Sequence, residues 1–390
     1  MRVAPPESDS QGLSLYLEVV VLLIRRCAAV AGAASVTACA LVAGSLLSPV
    51  AAGTSAGDPP ATRPVVHGLT TPLSLALGEG GTVYVSQNFA GQLMRRLPGK
   101  KAQVIASVAR GGEIGAVSVH DQEVTYAVSR GHNEVGKIRR IDAEGRDRGV
   151  ADLGKYERRN NPDADVSYGF QGITKRCAAK LPQQVGPATH SGVVETHPYA
   201  TTSAAGVTYV ADAGANAVLA ITGRTVSTVA VLPPAVSEIT RARAKSIGLP
   251  RCTVGLDYHF EAVPTDVEIG PEGQLYVSSL PGGPEDGSVG RLGSVYVVDP
   301  VTGDTDRVAK GLVSATGLAV DDEGTIYVAE LFRNRISRVM AGSPKAESWR
   351  EVVMPGDVEL SGGRLWATTD VLVGGPGQKP GGKVRSFPLR

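Results

Sequence analysis

Two Asp-x-Glu pairs are the most reactive-looking pattern in this chain: Asp266 with Glu268 in AVPTDVEIG, and Asp357 with Glu359 in MPGDVEL. In an extended strand, residues i and i+2 share a face, so each pair projects two carboxylates together while Val267, Ile269, Val358 and Leu360 pack on the other side. Aligning six segments on a leading proline or its equivalent (Pro72, Gly115, Pro198, Pro264, Ala315, Pro355) puts Ser74, Val117, Ala200, Asp266, Gly317 and Asp357 in one column. Two residues further the column holds Ala76, Val119, Thr202, Glu268, Ala319 and Glu359. A second set, Asp212 with Asn216 and Glu330 with Asn334, follows two Tyr-Val-Ala strands. Carboxylates and amides converging on one channel are the oxygen ligands that Ca²⁺ or Mg²⁺ prefers. The same residues also suit turn caps and the lining of a solvated channel. His197 and Tyr199 enter the third segment in Thr196-His197-Pro198-Tyr199, where a histidine can serve a ligand or a purely structural bond. No His-Glu-x-x-His, Cys-x-x-Cys or phosphate loop is present, and Gly-x-Ser-x-Gly occurs only as GTSAG in the linker, with no strand-to-helix elbow around it, so no catalytic residue is assigned and no cofactor is required beyond that metal option.

The elements that would carry these residues repeat. GTVYVSQ, EVTYAVS, GVTYVAD, GQLYVSS, GTIYVAE and GRLWATT are six copies of one strand, anchored by Tyr84, Tyr126, Tyr209, Tyr276, Tyr327 and Trp366. One copy of four strands cannot bury its apolar face alone and must stack on its neighbours. Three of the five spacings lie near the roughly 40–45 residues of a propeller blade, and two are lengthened by insertions at 155–193 and 235–260. Without the insertions each copy averages about 44 residues, which predicts an all-β, six-bladed propeller over 64–390. In the first copy the strands are expected at Leu73 to Leu77, Val83 to Ser86, Gln92 to Leu97 and Gln103 to Ser107. The last copy lacks an outermost strand, and Thr62 to Gly68 is expected to supply it, closing the ring.

The net charge of +1 gives no basic excess for nucleic acid. Arg25-Arg26, a small apolar run from Cys27 to Leu47 and the Ala51-Ala52-Gly53 junction read as a secretory signal within 1–52, cleaved after Ala52. The segment before it suits a signal poorly, and translation is expected to start near Val19 to Leu22. A lipoprotein box at Val36-Thr37-Ala38-Cys39 and an uncleaved anchor helix are the competing readings, the second being the one route to a membrane. Residues 53–63 read as a flexible linker. Cleavage leaves Cys177 and Cys252, one in each insertion, and a disulfide between them is expected in an exported protein. Both insertions precede an innermost strand, so both fall on the face where those strands begin. They are expected there as a rim or lid of long loops, with EITRARAKSIG helical, or else as surface decoration.

The stretch HPYATTSAAGVTYVADAGANAVLAITGRTVSTVAVLPP, with AVPTDVEIGPEGQLYVSSLPGGP and GLAVDDEGTIYVAE, resembles the ScyD/ScyE family of exported bacterial propellers, which is related in pattern to NHL-repeat propellers. That resemblance implies a six-bladed, extracytoplasmic propeller and transfers no catalytic residue. The resulting expectation is a non-catalytic binding module, a monomer that holds a small molecule, glycan or protein segment at its channel face. The competing expectation is a lactonase similar to the senescence marker protein/gluconolactonase propellers, with a divalent ion in the channel. That pattern needs a Glu at the start of the first blade, where this chain has Ser74.

Overall fold

A computed structural model describes residues 64–389 apart from 110, 284–289 and 375–377. The signal segment, the linker 53–63, Cys27 and Cys39 lie outside the described residues. Six four-stranded antiparallel sheets form the blades of a propeller. The first comprises Leu75–Gly78, Thr82–Gln87, Gln92–Arg96 and Gln103–Ser107, within one or two residues of expectation. Blades 2 to 5 begin with Glu113–His120, Pro198–Ala204, Ala262–Ile269 and Ala315–Val320.

The alternation of the repeat explains the packing. In Thr82–Gln87 the side chains of Val83 and Val85 are buried on one face, while Tyr84 lies half-buried on the other. Successive blades press such faces together: Ala211, Val218 and Leu232 of blade 3 form one core with Val267, Leu275 and Val277 of blade 4. Tight turns join first and second strands, and Gly324 at φ +80° supplies the left-handed residue that Asp321-Asp322-Glu323-Gly324 requires. The leading prolines mark a repeated irregularity: the register slips between Pro198 and Ala200, between Pro264 and Asp266, and between Ala315 and Gly317. Proline has no N–H to give the ladder and is tolerated at such a bulge.

Blade 6 contains Val358–Ser361, Arg364–Thr369 and Gly382–Pro388, and its fourth strand is Val66–Leu69 from the other end of the chain. Val66 faces Val384 and His67 faces Lys383, so the ring is closed by pairing its termini.

The insertions differ from expectation. Rather than two long loops, they fold together into a seventh sheet, in the order Thr189–Ser191, Ser167–Phe170, Asp257–Phe260, Ala235–Glu238. Its outer side is a small core of Phe170, Ile239 and Ala244 with Leu181, Leu249 and Tyr258, and it carries the Cys177–Cys252 disulfide, with Cα atoms 5.9 Å apart. The expected helix in EITRARAKSIG is Arg241–Ser246, capped by the Thr240 hydroxyl. A second helix, Leu153–Asn160, occupies a stretch whose polar sequence reads as loop; Asp152 caps it, and Leu153 anchors it in the core between blades 2 and 3. Among the described residues no helix is long and apolar enough to cross a membrane.

Candidate functional site: the channel and its insertion-bearing mouth

Most of the acidic residues that the alignment singles out are engaged by the fold. Asp266 accepts from Leu318 N of blade 5 at 2.6 Å and from its neighbour Val267 N at 2.8 Å. Asp357 repeats this, accepting from Leu75 N of blade 1 at 2.6 Å and from Val358 N at 2.8 Å. Ser74, in the same column, accepts from Val117 N of blade 2 at 3.0 Å. The column therefore latches each of these blades to the next around the channel. Gly317 stands between the two aspartates, and a Cβ there would lie 2.4 Å from Asp357 Oδ1, so its bare backbone lets the carboxylates of blades 4 and 6 converge.

The residues closing the second strands act within their own blades. Gln87 Oε1 accepts from Thr70 N at 2.7 Å, Asp212 Oδ1 from His197 N at 2.6 Å, and Glu330 Oε2 from Val313 N at 2.7 Å. Each one pins the chain that enters its blade. Asp212 also accepts from the Thr196 hydroxyl, and Glu330 from Arg335 Nε at 2.6 Å and from Ser337 Oγ. Burial pushes the Asp212 carboxyl up, against the pull of these donors. Asn216 and Asn334 adopt left-handed backbone, φ +51° and +54°, at the equivalent turn. Asn334 Oδ1 accepts from Met354 N at 2.9 Å, whereas Asn216 Oδ1 has no partner.

Glu268 and Glu359 are the exceptions. Both are half-buried and stand opposite the aromatic of the next strand, Tyr276 and Trp366, where blades 1, 3 and 5 place Ala76, Thr202 and Ala319; in blade 2 a register shift puts Val117, rather than the expected Val119, opposite Tyr126. Burial first, and then Glu359, Asp266 and Asp357, hold the Glu268 carboxyl well above the usual range. Burial and Asp266 push Glu359 up to about 8. Burial likewise raises Asp266 to about 7, and burial with Asp266 and Glu359 raises Asp357. Carboxyls raised in the folded state bind more protons there than in the unfolded chain, so their contribution is present at low pH and is lost as the pH rises. The denaturation midpoint is accordingly expected to fall between about pH 4.5 and about pH 8, the span covered by Glu359. A Glu268→Gln/Glu359→Gln chain should show a flatter profile, and an equal slope in both proteins would refute this origin.

At the mouth, His197 Nε2 lies 3.1 Å from Glu113 Oε2, and the His197 ring meets Tyr199 edge-on at 6.0 Å. Tyr199 itself is buried with Ala213, Val263 and Leu280. A second pair, His190 Nε2 and Glu261 Oε1 at 3.5 Å, lies where the insert sheet meets blade 4. Glu113, His190 and Glu261 escape a sequence reading because their partners come from other blades; only the place of Glu113, two residues before the leading Gly115, hints at it. Among the described residues no group of three or more His, Cys, Asp or Glu side chains is arranged to hold a metal ion.

No family model and no curated protein matches this sequence. Solved structures do. A putative oxidoreductase (glucose dehydrogenase) from Thermus thermophilus is 17% identical with a TM-score of 0.52, covering 84% of this chain and 99% of that one. The PQQ-bound aldose sugar dehydrogenase of Streptomyces coelicolor is 13% identical with a TM-score of 0.50, covering 83% and 96%. A gluconolactonase from Xanthomonas campestris is 14% identical with a TM-score of 0.49, covering 83% and 88%. At such identities the likeness concerns architecture: what this chain shares with these proteins is the β-propeller fold.

Proposed function

We propose that this chain is an extracytoplasmic, non-catalytic binding propeller whose channel takes a small cationic ligand between Glu268 and Glu359. The observation that carries this reading is that these two carboxyls, alone among the acidic residues of the two columns, have no role in joining strands or blades. At the same register the other blades carry only uncharged side chains, and burial with neighbouring carboxyls raises both groups above the usual carboxylate range. A cation placed between them would favour their charged forms and release protons. The Cys177–Cys252 bridge and the resemblance to the ScyD/ScyE family support the extracytoplasmic location. The lactonase alternative loses four of its candidate ligands as free groups, since Asp212, Asp266, Glu330 and Asp357 already accept main-chain N–H groups.

Calorimetry on residues 53–390 with putrescine, Mg²⁺ and Ca²⁺ tests the proposal. Putrescine is expected to bind with proton release at neutral pH, seen as a dependence of the heat on buffer ionisation, and Glu268→Gln/Glu359→Gln should abolish that heat. Binding that survives the double substitution, or no heat with putrescine, would overturn the assignment.

A further inference from the structure

The most heavily loaded polar cluster of the molecule lies outside the channel, under the first insertion. Glu157 projects from the helix Leu153–Asn160 and is 1% exposed; Asp163, just beyond that helix, is 0% exposed; Asn216, in the turn of blade 3, is 1% exposed. Asn216 Nδ2 donates to Asp163 Oδ2 at 2.7 Å, and Tyr168 OH donates to the same oxygen at 3.1 Å. Asn161 Nδ2 donates to Gly192 O at 3.1 Å, and Gly192 abuts Asp163 so closely that a Cβ on it would fall 1.9 Å from Oδ1.

Buried acceptor oxygens gather here short of donors: Asn161 Oδ1, Asp163 Oδ1 and Asn216 Oδ1 have no hydrogen-bond partner, and both oxygens of Glu157 are buried with only the Glu195 N–H directed at that carboxyl. All are acceptors, from two carboxylates and two amides. Buried carboxylate oxygens without donors are costly, so such a gathering calls for a partner. The charge around them is also one-sided. Asp212 and Asp163 lie near Glu157, and Glu261 near Asp163, so these carboxyls face one another rather than cations. Among the described residues no Lys or Arg forms an ion pair with Glu157, Asp163 or Asp212. Asn216 is the sharpest indicator, because Asn334 in the same place of blade 5 satisfies its Oδ1 on a main-chain N–H.

We propose that this junction is a binding site for one Ca²⁺ ion, held by Glu157, Asn161, Asp163 and Asn216, which fastens the first insertion to blade 3. Ca²⁺ takes six to eight oxygens, accepts amide carbonyls beside carboxylates and tolerates irregular geometry; five side-chain oxygens leave room for water or main-chain carbonyls. The set of two carboxylates and two amides differs from clusters built on acidic groups and histidine alone. Mg²⁺ asks for smaller, near-octahedral sites and releases its water reluctantly.

The test uses residues 53–390 freed of metal with a chelator, then titrated with Ca²⁺ and with Mg²⁺. One Ca²⁺ per chain is expected, with affinity roughly tenfold or more above Mg²⁺ and a rise in Tm. Terbium should bind in its place and emit when Tyr168 is excited, and Tyr168→Phe should lose that emission while still binding Ca²⁺. Asp163→Asn and Asn216→Ala are each expected to weaken Ca²⁺ by roughly tenfold or more. Glu268→Gln/Glu359→Gln should leave it unchanged, which separates this site from the channel. Should the Asp163 and Asn216 variants fail to fold, the wild-type titration and the Tyr168→Phe emission decide alone. No Ca²⁺ binding by the wild-type chain, full affinity in Asn216→Ala, or a Glu157→Gln chain that is more stable than a calcium-insensitive wild type would each overturn the proposal; the last would mark Glu157 as a buried neutral acid.

Discussion

Removal of residues 60–68 is expected to replace a single unfolding transition by at least two, the earlier one confined to blade 6. Val66–Leu69 is the fourth strand of that blade, and Val65 N also donates to Val384 O at 2.8 Å. Val66 and Leu69 are buried with Leu75, Val83, Val85 and Val384. At about 1.5–3 kcal/mol per buried side chain, the loss of Val66 costs about that much before any hydrogen bond is considered, and Leu69 is left without the strand that held it. It also leaves Gly382–Pro388 as an open edge. The two tryptophans report the outcome: Trp366 lies in blade 6, and Trp349 packs at the boundary of blades 5 and 6 against Tyr327 and Phe387. Urea unfolding followed by fluorescence should show an early, shallow change in the truncated chain. A single transition at the midpoint of the intact protein would refute this account of closure.

Cys177→Ser/Cys252→Ser is expected to open the insert sheet while the ring stays folded. The bridge spans 75 residues, and the chain-entropy relation assigns a loop of that length about 4–5 kcal/mol. The small core of Phe170, Ile239 and Ala244 must then hold the sheet together. Trypsin is the measurement, since Arg241, Arg243, Lys245 and Arg251 all lie in the segment that the bridge restrains. Rapid cleavage there, with Trp349 and Trp366 fluorescence unchanged, is the expected result. Equal resistance of the two proteins would show that packing alone secures the sheet.

The repeat made the blades legible because alternation and turn chemistry are local signals. Tyr84, Gly324 and the leading prolines each state their place within a few residues of sequence. The seventh sheet was not legible in this way, since Ser167–Phe170 pairs with Asp257–Phe260 and nothing in either segment names the other. The acidic columns were visible, but their task was not. Asp266 and Asp357 read as ion ligands or as turn-capping and channel-lining groups alike until the N–H groups of Leu318 and Leu75 are seen opposite them. Conversely Glu157, Asn161 and Asp163 read as a solvated loop, because burial by a distant blade leaves no trace in local polarity.

The interleaved insert sheet has a consequence for the order in which the molecule can be made. Synthesis proceeds from the N-terminus, and domains fold as their parts emerge. Ser167–Phe170 and Thr189–Ser191 appear early, yet their partner Asp257–Phe260 follows only after the whole of blade 3. Until then Cys177 is an unpaired thiol, and the nascent sheet carries an open edge. The first strand, Val66–Leu69, waits longer still, for Gly382–Pro388 at the far end. A product that stops anywhere short of those residues has no closed ring, so blade 1 must wait, already made, until residues 382–388 emerge before its neighbour is complete.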